Sequence, residues 1–408
     1  MYDRILVALD GSESSRYSGQ AALVLSAALR SSVTACHIYG VDIHRRRFIE
    51  MEPGLPVNYQ QKETLSKLRT SHERLIHEGF LALSAGYVDD FMSAARKADI
   101  TAESVAFEGR SYTGILHLAK TRRCDLICLG ADGLGAIGNG MLGGTTTRVL
   151  YSAPCDVLIA RSEPKNGPIL TGVDGSTEAL KSVSKAVKLG AAMGREVRMI
   201  AAYDPDFHTH VFGAVAESLS LERQKESGLM DQEKLHDDII NDGLGKLYAD
   251  FLNEALQRFS NEDVDVATSL VTGKAYHALD TQARNHDADL IVISRHGNHR
   301  EPSSRLGSNA EGLLRTTSTN VLLVGGIDDE LSNSKSMSRI KEIGRQELTL
   351  VWDSDAETRL QRVPSFVRSM AKRAVENSVR KSGKQRISAD DFDRVAAQFG
   401  MGRQKGDV

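Results

Sequence analysis

Along the first 325 residues, short continuous apolar runs ended by Gly, Asp or Ser alternate with longer segments whose apolar positions recur at helical intervals. The first pattern is that of strands buried on both faces, and the second that of amphipathic helices. In chain order it predicts a strand at 5–9, a helix at 14–29, a strand at 33–39, a long helix at about 62–98, a strand at 102–107, a helix at 111–122, a strand at 126–130, a helix at 145–151 and a strand at 157–160. Ser12 or Ser14 can cap the first helix, and Ala21, Ala22, Leu25 and Leu29 fall on one of its faces. Buried strands alternating with helices imply an α/β fold with a doubly wound parallel sheet. Such sheets take ligands beyond the carboxyl ends of their strands, where Asp10, Ile38 and Gly130 fall.

The pattern occurs twice. Asp10-Gly11-Ser12 recurs as Asp174-Gly175-Ser176, and the same offset of 164 carries Gly109 onto Gly273, Asp125-Leu126-Ile127 onto Asp289-Leu290-Ile291, Gly133 onto Gly297 and Gly143 onto Gly307. A repeat of this length is a whole domain, well above the period of a solenoid. The chain therefore divides into tandem units at 1–161 and 167–325, a Ser-rich polar linker at 326–346 and a small helical domain at 347–400.

Each unit carries a Gly-rich stretch between its fourth strand and the next helix. In the first it runs from Gly130 through Gly133 to Gly143, Gly144 and Thr145; in the second, from Ser294 through Gly297 to Gly307 and Ser308. Glycines there let backbone N–H groups approach phosphate oxygens beside a helix N-terminus. The segments ILVALDGS and ILTGVDGS, the Gly-x-x-Gly-(nine residues)-Gly-Ser/Thr loops, and the tails APCDVLIAR and NVLLVGG together resemble the universal stress protein family. The resemblance implies tandem Rossmann-like domains with an adenine-nucleotide site in each, ATP being the expected ligand, with or without Mg²⁺. It places Asp10 and Asp174 by the adenosine, the backbone at Ile38 and Ala202 by the adenine, and the loop residues on ribose and phosphates. Two positions depart from the pattern. Gly144 stands where a Ser or Thr is expected, with Thr146 as a substitute hydroxyl, and Ser294 stands where the first Gly belongs, bringing a Cβ toward the ligand.

The last segment, from the Trp352 region through Val363-Pro364-Ser365-Phe366-Val367-Arg368 to Ile387-Ser388, resembles the C-terminal helical domain of the light-independent protochlorophyllide reductase B-type subunit. That enzyme's iron–sulfur domains have no counterpart here and this segment lacks cysteine, so the resemblance implies tetrapyrrole binding or protein docking without the reductase activity. Ser388 and Asp391 form a capping-box-like start to its last helix, and Val363, Phe366, Val367, Met370 and Ala374 form an apolar stripe. Arg368, Lys372, Arg373, Arg380, Lys381, Lys384 and Arg386 make the preceding helix basic; without interleaved aromatics, nucleic acid is not the expected partner.

Composition narrows the remaining choices. With 51 Lys and Arg against 54 Asp and Glu, the net charge of −3 is too balanced for a polyanion-binding protein. Four cysteines in 408 residues cannot staple the fold, and the opening MYDRILVALDGS has too short an apolar run for a signal peptide or a membrane span, so a cytoplasmic protein is expected. Cys124 and Cys128, four apart on an extended run, stand about 13 Å from each other and cannot share a metal ion. His208 and His210 read as part of a solvated insertion. No Ser-His-Asp order, carboxylate pair or HExxH motif sits at a strand end, so no enzyme is expected.

The expected function is an ATP-binding regulatory protein of the stress response; the alternative is an accessory or scaffold in tetrapyrrole or redox metabolism. Two further expectations concern the units. They should pair face to face through 157–160 and 321–324 as an intramolecular pseudo-dimer, with a homodimer also open to the chain. The second site should be the stronger for triphosphate, because its loop holds Arg295, His296, His299, Arg300 and Arg305 where the first holds Asp132.

Overall fold

The computed structural model describes residues 1–134, 141–205, 218, 243–298, 304–326, 351–361, 372, 375, 378–379 and 386–398. The chain forms two compact bodies, Met1–Ile327 and Asp328–Val408. In the larger, β1 (Arg4–Ala8), β2 (Ser32–Tyr39), β3 (Ala102–Glu108), β4 (Leu126–Gly130) and β5 (Asp156–Ala160) lie parallel in the order β3-β2-β1-β4-β5. The second unit repeats that order with β6 (Ile169–Gly172), β7 (Val197–Tyr203), β8 (Val266–Thr272), β9 (Leu290–Ser294) and β10 (Asn320–Val324).

The helices of the first unit are α1 (Glu13–Leu29), α2 (Val41–Met51), α3 (Lys62–Lys97), α4 (Ser111–Thr121) and α5 (Gly144–Leu150). Those of the second are α6 (Thr177–Met193), α7 (Gly245–Phe259), α8 (Ala275–Asn285) and α9 (Ser308–Thr316). Ser12 caps α1 by accepting from the Ser15 N–H, and Ser176 caps α6 by accepting from the Ala179 N–H. Apolar residues of α1, α3, α6 and α7 fill a core on one face of the sheet, while those of α4, α5, α8 and α9 fill the other. Helix α2 has no counterpart among the predicted elements.

The units meet edge to edge rather than face to face. Strand β10 runs antiparallel to β5, with Val321 opposite Ile159, Leu322 opposite Leu158 and Leu323 opposite Val157, which makes one ten-stranded sheet. An unpaired strand edge is satisfied by another edge, not by a face. The strands chosen from the sequence are the ones that join, and both core layers run on across the seam.

In the smaller body, α10 (Ser354–Gln361) and α11 (Ala389–Gln398) pack with Val375 and Val379 around Leu360, Ile387 and Phe392. Ser388 and Asp391 close the expected capping box: the Asp391 N–H donates to Ser388 Oγ at 3.3 Å, and the Ser388 N–H to Asp391 Oδ2 at 3.2 Å. A short parallel ladder of β11 (Val351–Trp352) and β12 (Arg386–Ile387) joins the helices, an element absent from the sequence reading. The 326–346 linker beyond Gly326, the stripe from Val363 to Ala374, and His208 and His210 lie outside the described residues. Among those described, no helix is long and apolar enough to cross a membrane.

Candidate functional site

In both units the strand order reverses direction between the first strand and the fourth, so the chain leaves β1 and β4 toward opposite neighbours and a crevice opens at their carboxyl ends. In the first unit this crevice is a cavity of about 490 Å³ whose wall includes Asp10, Ile38, Gly130, Gly133, Gly143, Gly144 and Thr145, all the residues singled out from that unit. Asp10 Oδ1 accepts from the Ser12 N–H at 3.0 Å and from Ser12 Oγ at 2.6 Å. Its Oδ2 lies 2.8 Å from the place a Gly133 side chain would begin, so a larger residue there would displace the carboxylate. The Gly143 N–H closes the loop onto Ala131 O at 2.8 Å. The N–H groups that follow it, at the start of α5, have no carbonyl to bond within the helix.

The second unit forms the equivalent cavity, of about 200 Å³, and Asp174, Ala202, Ser294, Gly297, Gly307 and Ser308 all line it. Both carboxylate oxygens of its aspartate are engaged within the unit. Asp174 Oδ1 is held by Ser176, and Oδ2 accepts from the Asn298 N–H of the unit's own loop at 3.0 Å. Tyr248 also enters this wall, where the repeat places Ser84 in the first unit. Burial first, and then the charge of Asp174, push the Tyr248 phenol above its ordinary value.

Several expected roles change. A side chain at Gly130 would strike the backbone of Ser14 and Ser15, at 2.7 Å from the Ser14 carbonyl carbon and from the Ser15 nitrogen, so this glycine serves the packing of α1 on β4. Ser294 takes the equivalent place with its hydroxyl donating to His296 O at 2.6 Å. The Thr146 hydroxyl has its proton committed, since its Oγ1 donates to Gly130 O at 2.8 Å in a buried position, so it is not a free donor for a phosphate. The guanidinium of Arg295 donates to Gly325 O and Leu150 O, and that of Arg305 to Tyr151 O at 3.2 Å, so both side chains hold backbone carbonyls while keeping their charge. His299 and Arg300 lie outside the described residues. Cys128 lies on β4 whereas Cys124 precedes it; both are buried, and burial pushes the Cys124 thiol up to about 11.

The sequence model described as the Universal stress protein family matches residues 1–161 and again 165–325. The chain belongs to the universal stress protein family. A universal stress protein of Mycobacterium tuberculosis strain H37Rv is 24% identical over 209 residues, 50% of this chain and 62% of that relative, so less than two thirds of the relative's length is matched. The universal stress protein YxiE of Bacillus subtilis strain 168 is 24% identical over 161 residues, 40% of this chain and 100% of its own length. The crystal structure of a putative universal stress protein from Pseudomonas aeruginosa UCBPP-PA14 shares the fold over 83% of this chain and 98% of its own, with a TM-score of 0.51 at 15% identity. A second family model, for the proto-chlorophyllide reductase 57 kD subunit, matches residues 352–395. The chain is a tandem universal stress protein with such a segment at its C-terminal side.

Within this universal stress protein the first cavity also gathers residues that motif reading passed over. Met141 and Leu142 stand in its loop, Ser111 and Ile115 come from α4, and Ser15 from α1. His37 precedes Ile38 on β2, and its Nδ1 lies 2.7 Å from Ser84 Oγ. The Ser84 hydroxyl donates to Phe80 O at 2.6 Å, so the imidazole Nδ1–H is the donor to Ser84. The second unit has Ala201 at this position of the repeat. Alternation alone could flag His37 as a strand residue, but its hydroxyl partner is 47 positions away on another element.

Proposed function

We propose that this universal stress protein binds an adenine nucleotide, ATP, in the cavity of the first unit, and that occupancy serves a regulatory role in the stress response without a catalytic step. The observation that carries the reading is the 490 Å³ cavity, a size that accommodates a nucleotide, with Asp10 and the loop glycines together in its wall. A side chain at Gly144 would meet nothing within 4 Å, so the loop leaves open space where phosphates would lie. In this reading Asp10 accepts from the adenosine, the backbone at Ile38 borders the adenine, and Gly133, Gly143, Gly144 and Thr145 follow the ribose and phosphates. Mg²⁺ enters only as the counter-ion of the polyphosphate, on the side of Asp132. Asp174, Ala202, Ser294, Gly297, Gly307 and Ser308 form a second, tighter site, ranked below the first.

Calorimetric titration of ATP into Gly143→Asp and Gly307→Asp variants tests the ranking, since each blocks one loop with bulk and negative charge. Gly143→Asp is expected to remove most of the affinity; a chain damaged mainly by Gly307→Asp would reverse the assignment. The match at 352–395 supports a second reading, an accessory of tetrapyrrole or redox metabolism that binds ligand or protein through its C-terminal helices. What copurifies separates the two: absorbance near 260 nm from bound adenine for the first, a Soret-type band for the second.

A further inference from the structure

Arg295 belongs to the loop of the second site, yet its guanidinium reaches into the first unit. The residue is 4% exposed. Its Nε donates to Gly325 O at 2.8 Å, and one Nη donates to Leu150 O, the last carbonyl of α5. Burial pulls its guanidinium down from 12.5 to about 10, and the charge of Asp156 is the largest effect opposing the shift. A mirror contact runs the other way: Arg161 of the first unit donates to Leu314 O in the last turn of α9. Leu150 and Leu314 occupy the same position in the repeat, but Arg161 corresponds to Gly325 and Arg295 to Ala131. The same bond is thus made twice from unrelated positions, which duplication of a unit does not by itself produce.

A buried cation costs free energy unless its donors are used, and a helix C-terminus with its unpaired carbonyls is a favourable place to use them. Helix α5 is seven residues long, and its capping Gly143 with its first turn, Gly144 to Thr146, forms part of the first cavity's wall. We propose that Arg295 is a positioning residue for the nucleotide site of the first unit. From the second unit it fixes the far end of α5, and through that short helix it fixes where Gly144 and Thr145 meet the phosphates. The first site is therefore completed by the second unit, although no residue of that unit is among the described residues that line the cavity. This inference rests on the nucleotide reading above.

The test is Arg295→Met in the full chain, a change that keeps bulk and removes the donors, with Arg295→Lys as the conservative variant. ATP and adenosine are titrated separately by calorimetry, and amide exchange across 144–151 is followed without nucleotide. The expected result is a loss of roughly ten-fold in ATP affinity with adenosine unchanged, partial recovery in Arg295→Lys, and faster exchange in α5. An equal loss for both ligands, indicating general loosening, or an unchanged ATP affinity overturns the proposal. If the wild-type chain binds neither ligand, the nucleotide reading has failed. The role of Arg295 at the site then falls with it, and the exchange comparison reports only on the bracing of α5: unchanged protection in Arg295→Met overturns that bracing, and faster exchange confined to 144–151 upholds it.

Discussion

A side chain at Gly130 would begin 2.5 Å from Ser14 Oγ and 2.7 Å from two backbone atoms of α1, whereas one at Gly144 would meet nothing within 4 Å. Two glycines of one loop thus answer to different demands. Backbone cannot move aside as a side chain can, so Gly130→Ala is expected to destabilise the chain by about 1–3 kcal/mol, while Gly144→Ala leaves the urea midpoint almost unchanged. Equal midpoints for the two variants would contradict the close approach of α1. His37 gives a second residue-scale outcome. Burial holds its imidazole below the ordinary 6.5, against the opposing charge of Asp10. Facing it are Asp10 after β1, Ser84 and Tyr87 on α3, and Tyr39 on its own strand. The unfolded chain takes up this proton first as pH falls. The contribution to stability is therefore intact above 6.5 and declines below it, toward the lower folded value. Denaturant titrations of His37→Gln should show a shallower loss of stability on acidification than the wild type, and parallel curves would remove His37 as a cause.

At the scale of elements, local signals proved sufficient wherever an element answers to its own residues. The capping serine and apolar face of α1, the continuous run of β4 and the offset of 164 were all readable, and the structure repeats the strand order at that offset. Both cavities collect the residues named from the loops, because the residues that close a parallel strand necessarily stand at its carboxyl end. What stayed hidden depends on partners remote in sequence. Gly130 reads as a phosphate glycine until α1 is laid across it. Arg295 reads as a ligand cation until its target appears 145 positions away. Helix α2 has a mixed surface with Arg45, Arg46 and Arg47 in succession, and its packing on α3, not a clean periodic stripe, holds it. The β11–β12 ladder consists of two residues on each side, too short for any alternation to register.

At the scale of the whole molecule, the seam between the units behaves as a dimer interface enclosed within one chain. Strand β5 is buried along its length, with β4 on one side and β10 on the other, so removing the second unit exposes an apolar edge. The polar contacts of the seam show what a replacement would look like. Arg161 donates to Leu314 O, and Leu314 is the repeat equivalent of Leu150. Two copies of the first unit related by a two-fold axis could therefore pair β5 with β5 and set Arg161 of each copy on Leu150 of the other, without any new kind of contact. Asp156 would lose Lys185 and the Gly325 N–H but would keep the Tyr2 hydroxyl at 2.6 Å, so its carboxylate would not be left without a donor. Residues 1–166 expressed alone are expected to form a homodimer, measured by light scattering across a concentration series, and Arg161→Met is expected to weaken it. A truncated unit that stays monomeric at high concentration would show that the edge of β5 is not self-complementary, and that the covalent tandem supplies a contact that symmetry cannot.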